Sequence, residues 1–507
     1  MSAATSTSTV MVLGGDQEKG GRTVDVERSA ALEAFPDQDK DKTDEEKKKI
    51  DRDLVWKTDL WLVPWLAVLY CFCFICRTNI GNAKLQGMET ALGMSGIDYN
   101  MSLTIFFIAY AFFDPITNAI LKKSSPRVFF TMIMVVSGVI VTLTGLCSNY
   151  SGLLAARFFL GVAQSAFFPG VNYYLSCWYK SSEIGLRSAV FFSAAALAGS
   201  FSGLLAFGIA KMDGVAGLQG WAWIFILEGI ATFLSGVICW FMPLDWPATA
   251  HFLSAEDRIR VQRRLLLAKQ SAVAEHFDKR YVFEACKDWK TYGYMLVYTG
   301  CLMPLYAFAL FLPTIIQGMG KSGATAQILS VPPYACAAVF TIIVGYIADR
   351  TRCRGWCNIA PTLLAIVGFV ILIATDNVNA QYAGTFLGAM GIYPTIPNSL
   401  SWVSNNTEGS LKRAIALGMV IGFGTLNGAV SSNIYMTKEK PRYWTGHATV
   451  LAYLVVCLLG GSLLVHFALA AENKKRKNGE RDSMFEKLSK DELLIKGDKR
   501  PDFIYTL

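Results

Sequence analysis

Charge is scarce in this sequence. Asp, Glu, Lys and Arg make up only 17% of its 507 residues, against about a quarter in an ordinary soluble domain. Histidine is scarcer still: the four, at 251, 276, 447 and 466, are scattered and no neighbouring ligand set completes a metal site. There is no Gly-x-Ser-x-Gly nucleophile motif. Nor is there a phosphate loop, because Gly422-Phe-Gly424-Thr-Leu-Asn-Gly428 has the wrong glycine spacing and lacks the Lys-Ser/Thr that neutralises a nucleotide phosphate. These absences argue against an enzyme and an ATP-driven machine, and no cofactor or metal is expected. The twelve cysteines do not form a framework either, since most, including Cys71, Cys73 and Cys76, fall in apolar stretches where they act as small hydrophobic residues.

What remains is apolar. Hydrophobic residues reach 53%, and stretches such as Val128 to Leu146 and Val450 to Leu464 carry no ionisable side chain over most of the ~20 residues a helix needs to cross hydrocarbon. The pattern predicts an all-α membrane protein with twelve transmembrane helices, at about 59–76, 100–121, 128–146, 152–177, 187–210, 222–242, 292–315, 327–348, 358–375, 380–402, 412–434 and 447–470. Residues 1–55 are polar and end in the charge run Asp37 to Lys49, so they read as a disordered tail. No apolar segment precedes the first span, so no cleavable signal is expected. Lys and Arg number about 19 in the even-numbered loops and about 7 in the odd-numbered ones, and both tails are rich in them, which predicts that both termini are cytoplasmic. The net charge of +8 then reflects topology and anionic lipid rather than a nucleic-acid partner. The bilayer itself is the expected macroscopic partner, and the chain is expected to work as a monomer. Sequons at Asn100 and Asn149 lie too close to the bilayer to predict glycosylation.

The only long internal linker, 243–291, divides the spans into halves at 56–242 and 292–471, with a cytoplasmic tail at 472–507. The halves echo one another: Phe159-Leu160-Gly161, Pro169, Trp178 and Arg187 correspond to Phe386-Leu387-Gly388, Pro397, Trp402 and Arg413. Two six-helix halves in parallel repeat put a binding site between them near the middle of the membrane. The loop after the eighth span reads Gly345-Tyr-Ile-Ala-Asp349-Arg350-Thr-Arg352-Cys-Arg354. An acid at a helix end beside guanidinium groups makes a latch that can break and re-form as halves rock, so Gly345, Asp349, Arg350 and Arg354 are candidate gating residues.

The spacing of that loop is similar to the loop signature of the major facilitator superfamily. Further stretches are more specific: Arg77-Thr-Asn-Ile-Gly-Asn-Ala-Lys84, Phe167-Phe-Pro-Gly170 with Trp178-Tyr-Lys180, Phe311-Leu-Pro-Thr-Ile-Ile316, Asn405 to Arg413, Ile421-Gly-Phe-Gly424 and Ser432-Asn-Ile-Tyr435. Together, over residues 55 to 470, they resemble the fungal allantoate permease family, the anion:cation symporter branch of that superfamily. The resemblance implies the major facilitator fold and a permease for a small organic anion or vitamin-like carboxylate, moved by alternating access with protons as a coupling ion, at the plasma membrane. Efflux or organellar transport on the same fold, and a nutrient sensor that has lost transport, are the competing readings.

Ionised side chains inside spans are costly and so usually face a cavity. Arg77, at the end of the first span, and Arg157, inside the fourth, are expected to hold a carboxylate, and the resemblance gives the same role to arginines at these positions. The sequence then departs from the family, whose members carry an acid just before the first arginine and a Glu seven residues after the second. Here those positions are Cys76 and Gln164. Asp114, before Pro115, and Glu228 are the substitute proton-coupling candidates. Asn79, Asn82, Gln164, Tyr173, Tyr306 and Asn398 complete the expected substrate site, with Tyr110, Asn172 and Tyr393 as further polar or aromatic candidates. Pro169, Pro394 and Pro397 are expected to bend their helices.

Overall fold

The computed structural model describes residues 35–267, 279–483 and 497–507. Every long element is a helix: α1 Asp44–Leu85, α2 Gly96–Lys123, α3 Pro126–Thr144, α4 Tyr150–Gln164, α5 Phe167–Ser176, α6 Ser181–Ile209, α7 Gly220–Phe241, α8 Ala255–Leu267, α9 Trp289–Gly318, α10 Val331–Thr351, α11 Arg354–Ala374, α12 Val378–Ile392, α13 Thr395–Asn405, α14 Ser410–Ser431, α15 Trp444–Ala452 and α16 Gly461–Lys477. With no water in hydrocarbon to satisfy the backbone, helices are the form such apolar runs must take. Their starts are written locally. Thr43 with Glu46 and Ser95 with Asp98 form capping boxes, Asn149 caps α4, and Pro126 opens α3.

Among the described residues, eleven helical runs are long and apolar enough to cross a membrane. The tenth of the twelve expected spans is not a continuous helix. It is divided into α12 and α13 at Tyr393-Pro394, where proline supplies no N–H to the helix ladder. The fourth span is likewise made of α4 and α5, which meet at Ser165-Ala166, three residues before the proline rather than at it. Residues 1–34 lie outside the described part, but the expected disordered tail is corrected at its far end. Helix α1 is already formed from Asp44, and its 42 residues extend roughly 63 Å at 1.5 Å each, about twice the thickness of the hydrocarbon core. Ahead of it, Asp39 pairs with Arg260 of α8 at 3.0 Å. The segment 472–507 is also more than a tail: α16 continues to Lys477, and residues 497–507 pack back on the bundle.

The end of the bundle where α1 begins and α16 finishes is termed the tail end, and the opposite end the loop end. Between the halves, α6 runs along α10, α1 along α9 and α2 along α14. Glycines permit these approaches. A Cβ on Gly81 would lie 2.6 Å from the Leu310 carbonyl oxygen, on Gly199 2.7 Å from the Tyr334 ring, and on Gly203 2.6 Å from the Gln327 carbonyl oxygen. Small residues at such crossings let backbones close to van der Waals contact, the principal attraction between helices in lipid.

Candidate functional site

A cavity lies where α1, α2, α5, α6, α9 and α14 converge, lined by Tyr70, Arg77, Tyr110, Phe168, Phe192, Tyr298, Leu302, Leu305, Tyr306 and Thr425. It draws on both halves. Its volume is about 10 Å³ of space for the centre of a water-sized sphere, room for roughly one water. The one charged side chain on this wall is Arg77, which is 4% exposed. Its guanidinium carbon lies 5.0 Å from the Tyr110 ring centre, 5.2 Å from Phe106, 5.9 Å from Tyr306 and 6.0 Å from Phe74. Ring faces attract a cation by roughly 0.5–2 kcal/mol each, enough to steady the group without using its five donors. Only a long hydrogen bond, 3.4 Å from Nη1 to the Tyr306 hydroxyl, engages them, and Nε is buried with no hydrogen-bond partner.

Arg157 is adjacent but does not line the cavity. Its Nη1 donates to the Arg77 carbonyl oxygen at 3.4 Å, its guanidinium carbon lies 5.7 Å from the Phe225 ring centre, and Nε and Nη2 have no hydrogen-bond partner. Arg157 therefore reaches the backbone of Arg77, and only Arg77 of the two lines the cavity. Gln164 is fully buried with both amide atoms unpartnered in hydrogen bonds.

Beside them, the face of α7 meets α1. Cys76 Sγ lies 3.1 Å from Thr232 Oγ1, and that hydroxyl also bonds the Glu228 carbonyl oxygen one turn earlier at 2.7 Å. Glu228 is 4% exposed and neither carboxyl oxygen has a hydrogen-bond partner. Glu228 and Arg157 both lie close enough to Cys76 to act on it electrostatically. Glu228 on α7 is thus joined to Cys76 on α1 through Thr232, which contacts the Cys76 thiol and the Glu228 backbone. Asp114 is also buried, on α2 one turn beyond Tyr110.

Other expected site residues fall elsewhere. Asn79 Oδ1 accepts from the Ser202 hydroxyl at 2.8 Å, and Asn82 Nδ2 donates to Ser202 Oγ at 2.6 Å, so both tie α1 to α6. Tyr173 packs edge-on to Trp246, and Asn172 bonds back to its own helix at the Phe168 carbonyl oxygen. Asn398 belongs to the gate described below. Tyr393 packs against Tyr334 and Phe192 rather than on the cavity wall. Sequence reasoning missed Tyr70, Phe168, Phe192 and Tyr298. Helical periodicity carried a signal for two of them: Tyr70 is two turns before Arg77, and Tyr298, Leu302, Leu305 and Tyr306 share one face of α9.

Both ends are shut. At the tail end the Asp349 carboxylate binds Arg354 and also accepts from the backbone N–H of Leu186, in the other half, at 2.6 Å. Gly185 leaves no space for a Cβ against these two side chains, and Gly345 is pressed on Ala189. Arg354 donates to Asn398 Oδ1 at 3.3 Å, while Asn398 Nδ2 donates to the Arg354 carbonyl oxygen at 2.8 Å and to Asn358 Oδ1 at 2.7 Å. Arg350 is exposed and bonds only its own helix, at the Tyr346 hydroxyl. At the loop end Gln327 bonds the Asn82 carbonyl oxygen at 3.5 Å, and Asn433 bonds Thr104 at 2.8 Å. A small central cavity thus has polar contacts between the halves on either side of it.

Comparison with known proteins agrees with this architecture. The family model described as Major Facilitator Superfamily matches residues 66–465, and the chain belongs to that family. It is 33% identical over 473 residues to the MFS-type transporter cnsO of Penicillium expansum, covering 90% of each chain. It is 30% identical over 462 residues to the high-affinity nicotinic acid transporter of Saccharomyces cerevisiae, covering 90% of this chain and 85% of the relative. Among solved structures it is similar to a bacterial homolog of the human lysosomal transporter Spinster in its inward-facing, occupied conformation, with TM-score 0.59, 14% identity, and 80% and 96% of the two chains covered. The fold is the major facilitator fold. The protein is a multi-pass integral membrane transporter of small molecules, of the secondary class, and not an enzyme.

Proposed function

We propose that this transporter carries small organic anions, holding the substrate carboxylate at Arg77 and exchanging a proton at Glu228. The observation that carries the reading is a single buried guanidinium on the wall of a cavity between the halves, ringed by aromatic faces and with most of its donors unused. A carboxylate accepts two of those donors in parallel, and a planar ring attached to it fits the tyrosine and phenylalanine walls. The similarity to a nicotinic acid transporter supports an aromatic or heteroaromatic monocarboxylate, and the motif resemblance supports the allantoate permease branch. Arg157, Gln164 and Cys76 form the polar backing of the arginine, with Asp114 as a second carboxyl near the cavity. Gly345, Asp349 and Arg354 act in the tail-end gate, while the position of Arg350 gives it an electrostatic role at the membrane surface. The protein works at the plasma membrane with both termini cytoplasmic.

The roughly one-water cavity requires the halves to part before substrate enters. Proteoliposome uptake of labelled nicotinate, pantothenate, biotin and allantoate, with and without an inward proton gradient, tests the reading. Gradient-driven accumulation of at least one carboxylate is expected. Flux indifferent to the gradient removes the proton role from Glu228, and silence across the panel, with folded protein, removes the anion reading.

A further inference from the structure

Residues 497–507 are bound as specifically as a ligand. Asp498 is fully buried and forms ion pairs with Lys290 at the start of α9 and with Lys412 of α14, the latter at 2.8 Å. Lys412 also meets Asp288 at 2.9 Å, so the seat without Asp498 holds two buried ammonium groups against one carboxylate. Two asparagines then grip the backbone. Asn473 of α16 accepts from the N–H of Tyr505 and donates to its carbonyl oxygen, both at 2.8 Å. Asn406 donates to the Thr506 carbonyl oxygen at 2.8 Å and accepts from its N–H at 2.7 Å, while Trp402 Nε1 donates to the same carbonyl at 2.9 Å. Arg476 donates to the Asp498 carbonyl oxygen at 3.0 Å and to the Tyr505 hydroxyl at 2.8 Å.

Two of these grips act on or beside α13. Trp402 lies on it and Asn406 directly follows it. That short helix has its ladder to α12 interrupted at Tyr393-Pro394, where proline supplies no N–H. One turn before Trp402 it carries Asn398, which clamps Arg354; Arg354 binds Asp349, and Asp349 accepts the Leu186 N–H from the opposite half. A contiguous set of hydrogen bonds and packed contacts thus runs from Thr506 through α13 to the tail-end gate. We propose that residues 497–507 are a strap that braces α13 against that gate, and that undocking the strap favours opening of the transporter at its tail end.

Lipid-reconstituted full-length protein and three variants, Asp498→Asn, Asn473→Ala and deletion of 497–507, would be compared by backbone hydrogen exchange. Asn473→Ala is informative because it loosens the strap without altering α13 or the gate. The expected result is faster exchange over residues 183–188 and 352–358, by about tenfold in the deletion, with 323–330 at the loop end unchanged or slower. The inference is overturned if exchange rises around 405–412 while the gate segments keep wild-type rates, since the strap would then secure only its own seat. A uniform rise through both halves overturns it as well, because residues 497–507 would then support the whole fold rather than the gate.

Discussion

Replacing Glu228 by glutamine should separate movement of substrate from its accumulation. Glutamine matches glutamate in size and retains hydrogen-bonding atoms, so the packing of α7 on α1 at Cys76 and Thr232 is preserved. Only the capacity to bind and release a proton is lost. For a monovalent anion moved with one proton the cycle is electroneutral. An imposed gradient of about one pH unit is then worth about 1.4 kcal/mol, or roughly tenfold accumulation, with the membrane potential clamped at zero. The assay is paired: concentrative uptake under the gradient, and counterflow exchange without it, in the same proteoliposomes. Wild-type protein should approach tenfold accumulation, whereas Glu228→Gln should equilibrate substrate at a ratio of about one while still exchanging it. Tenfold accumulation by the variant would refute the reasoning and move the proton to Asp114, which is buried on α2 beyond Tyr110. Loss of counterflow as well would make Glu228 part of binding or folding, not coupling.

Three further outcomes follow from the geometry. Tyr306→Phe removes the hydroxyl 3.4 Å from Arg77 and should weaken substrate affinity by about 0.5–1.5 kcal/mol, roughly two- to tenfold, seen as a raised KM with kcat little changed. Gly185→Ala forces a methyl group against Asp349 and Arg354; loss of the charge-assisted bond to Leu186, worth about 1.5–3 kcal/mol, should raise tail-end accessibility in site-directed spin-label distances between the halves. Gly199→Val drives side-chain atoms into Tyr334, whose ring already lies 2.7 Å from the position of a Cβ. It should destabilise the closed packing of α6 on α10 by about 1–3 kcal/mol, lowering turnover while the protein still inserts.

The helical architecture was legible because hydrocarbon leaves an apolar chain few alternatives. Long uncharged runs could be read directly, and the prolines near 394 marked where the tenth span divides. Arg77 was legible for the same reason, as a cation too costly to leave in lipid. The different placement of Arg77 and Arg157 was not, because sequence spacing does not fix how one helix is rotated against another, and Arg157 packs by Phe225 and bonds the Arg77 carbonyl. Asn79, Asn82 and Asn398 were expected at substrate, yet Asn398 is engaged between helices and Asn79 and Asn82 each bond Ser202 through one amide atom while the other, Asn79 Nδ2 and Asn82 Oδ1, has no hydrogen-bond partner. In a dry interior an asparagine that joins helices and one that binds a ligand have the same sequence signature. That Cys76 and Glu228 meet through Thr232 was not legible either, because they lie on different helices and far apart in sequence. The strap was invisible for a related reason: Asp498 meets partners 208 and 86 residues away, a pairing that no local pattern encodes.

The proposed function rests on Arg77 recognising a carboxylate among aromatic rings. Its most direct test is equilibrium binding of nicotinate and of nicotinamide, the same ring without the charge, to purified wild-type protein and to Arg77→Ala. Wild-type protein should prefer the acid by about 2–5 kcal/mol, roughly 30-fold or more, and the variant, still folded, should lose this preference. Equal preference for the acid in both proteins, or none in the wild type, would contradict it.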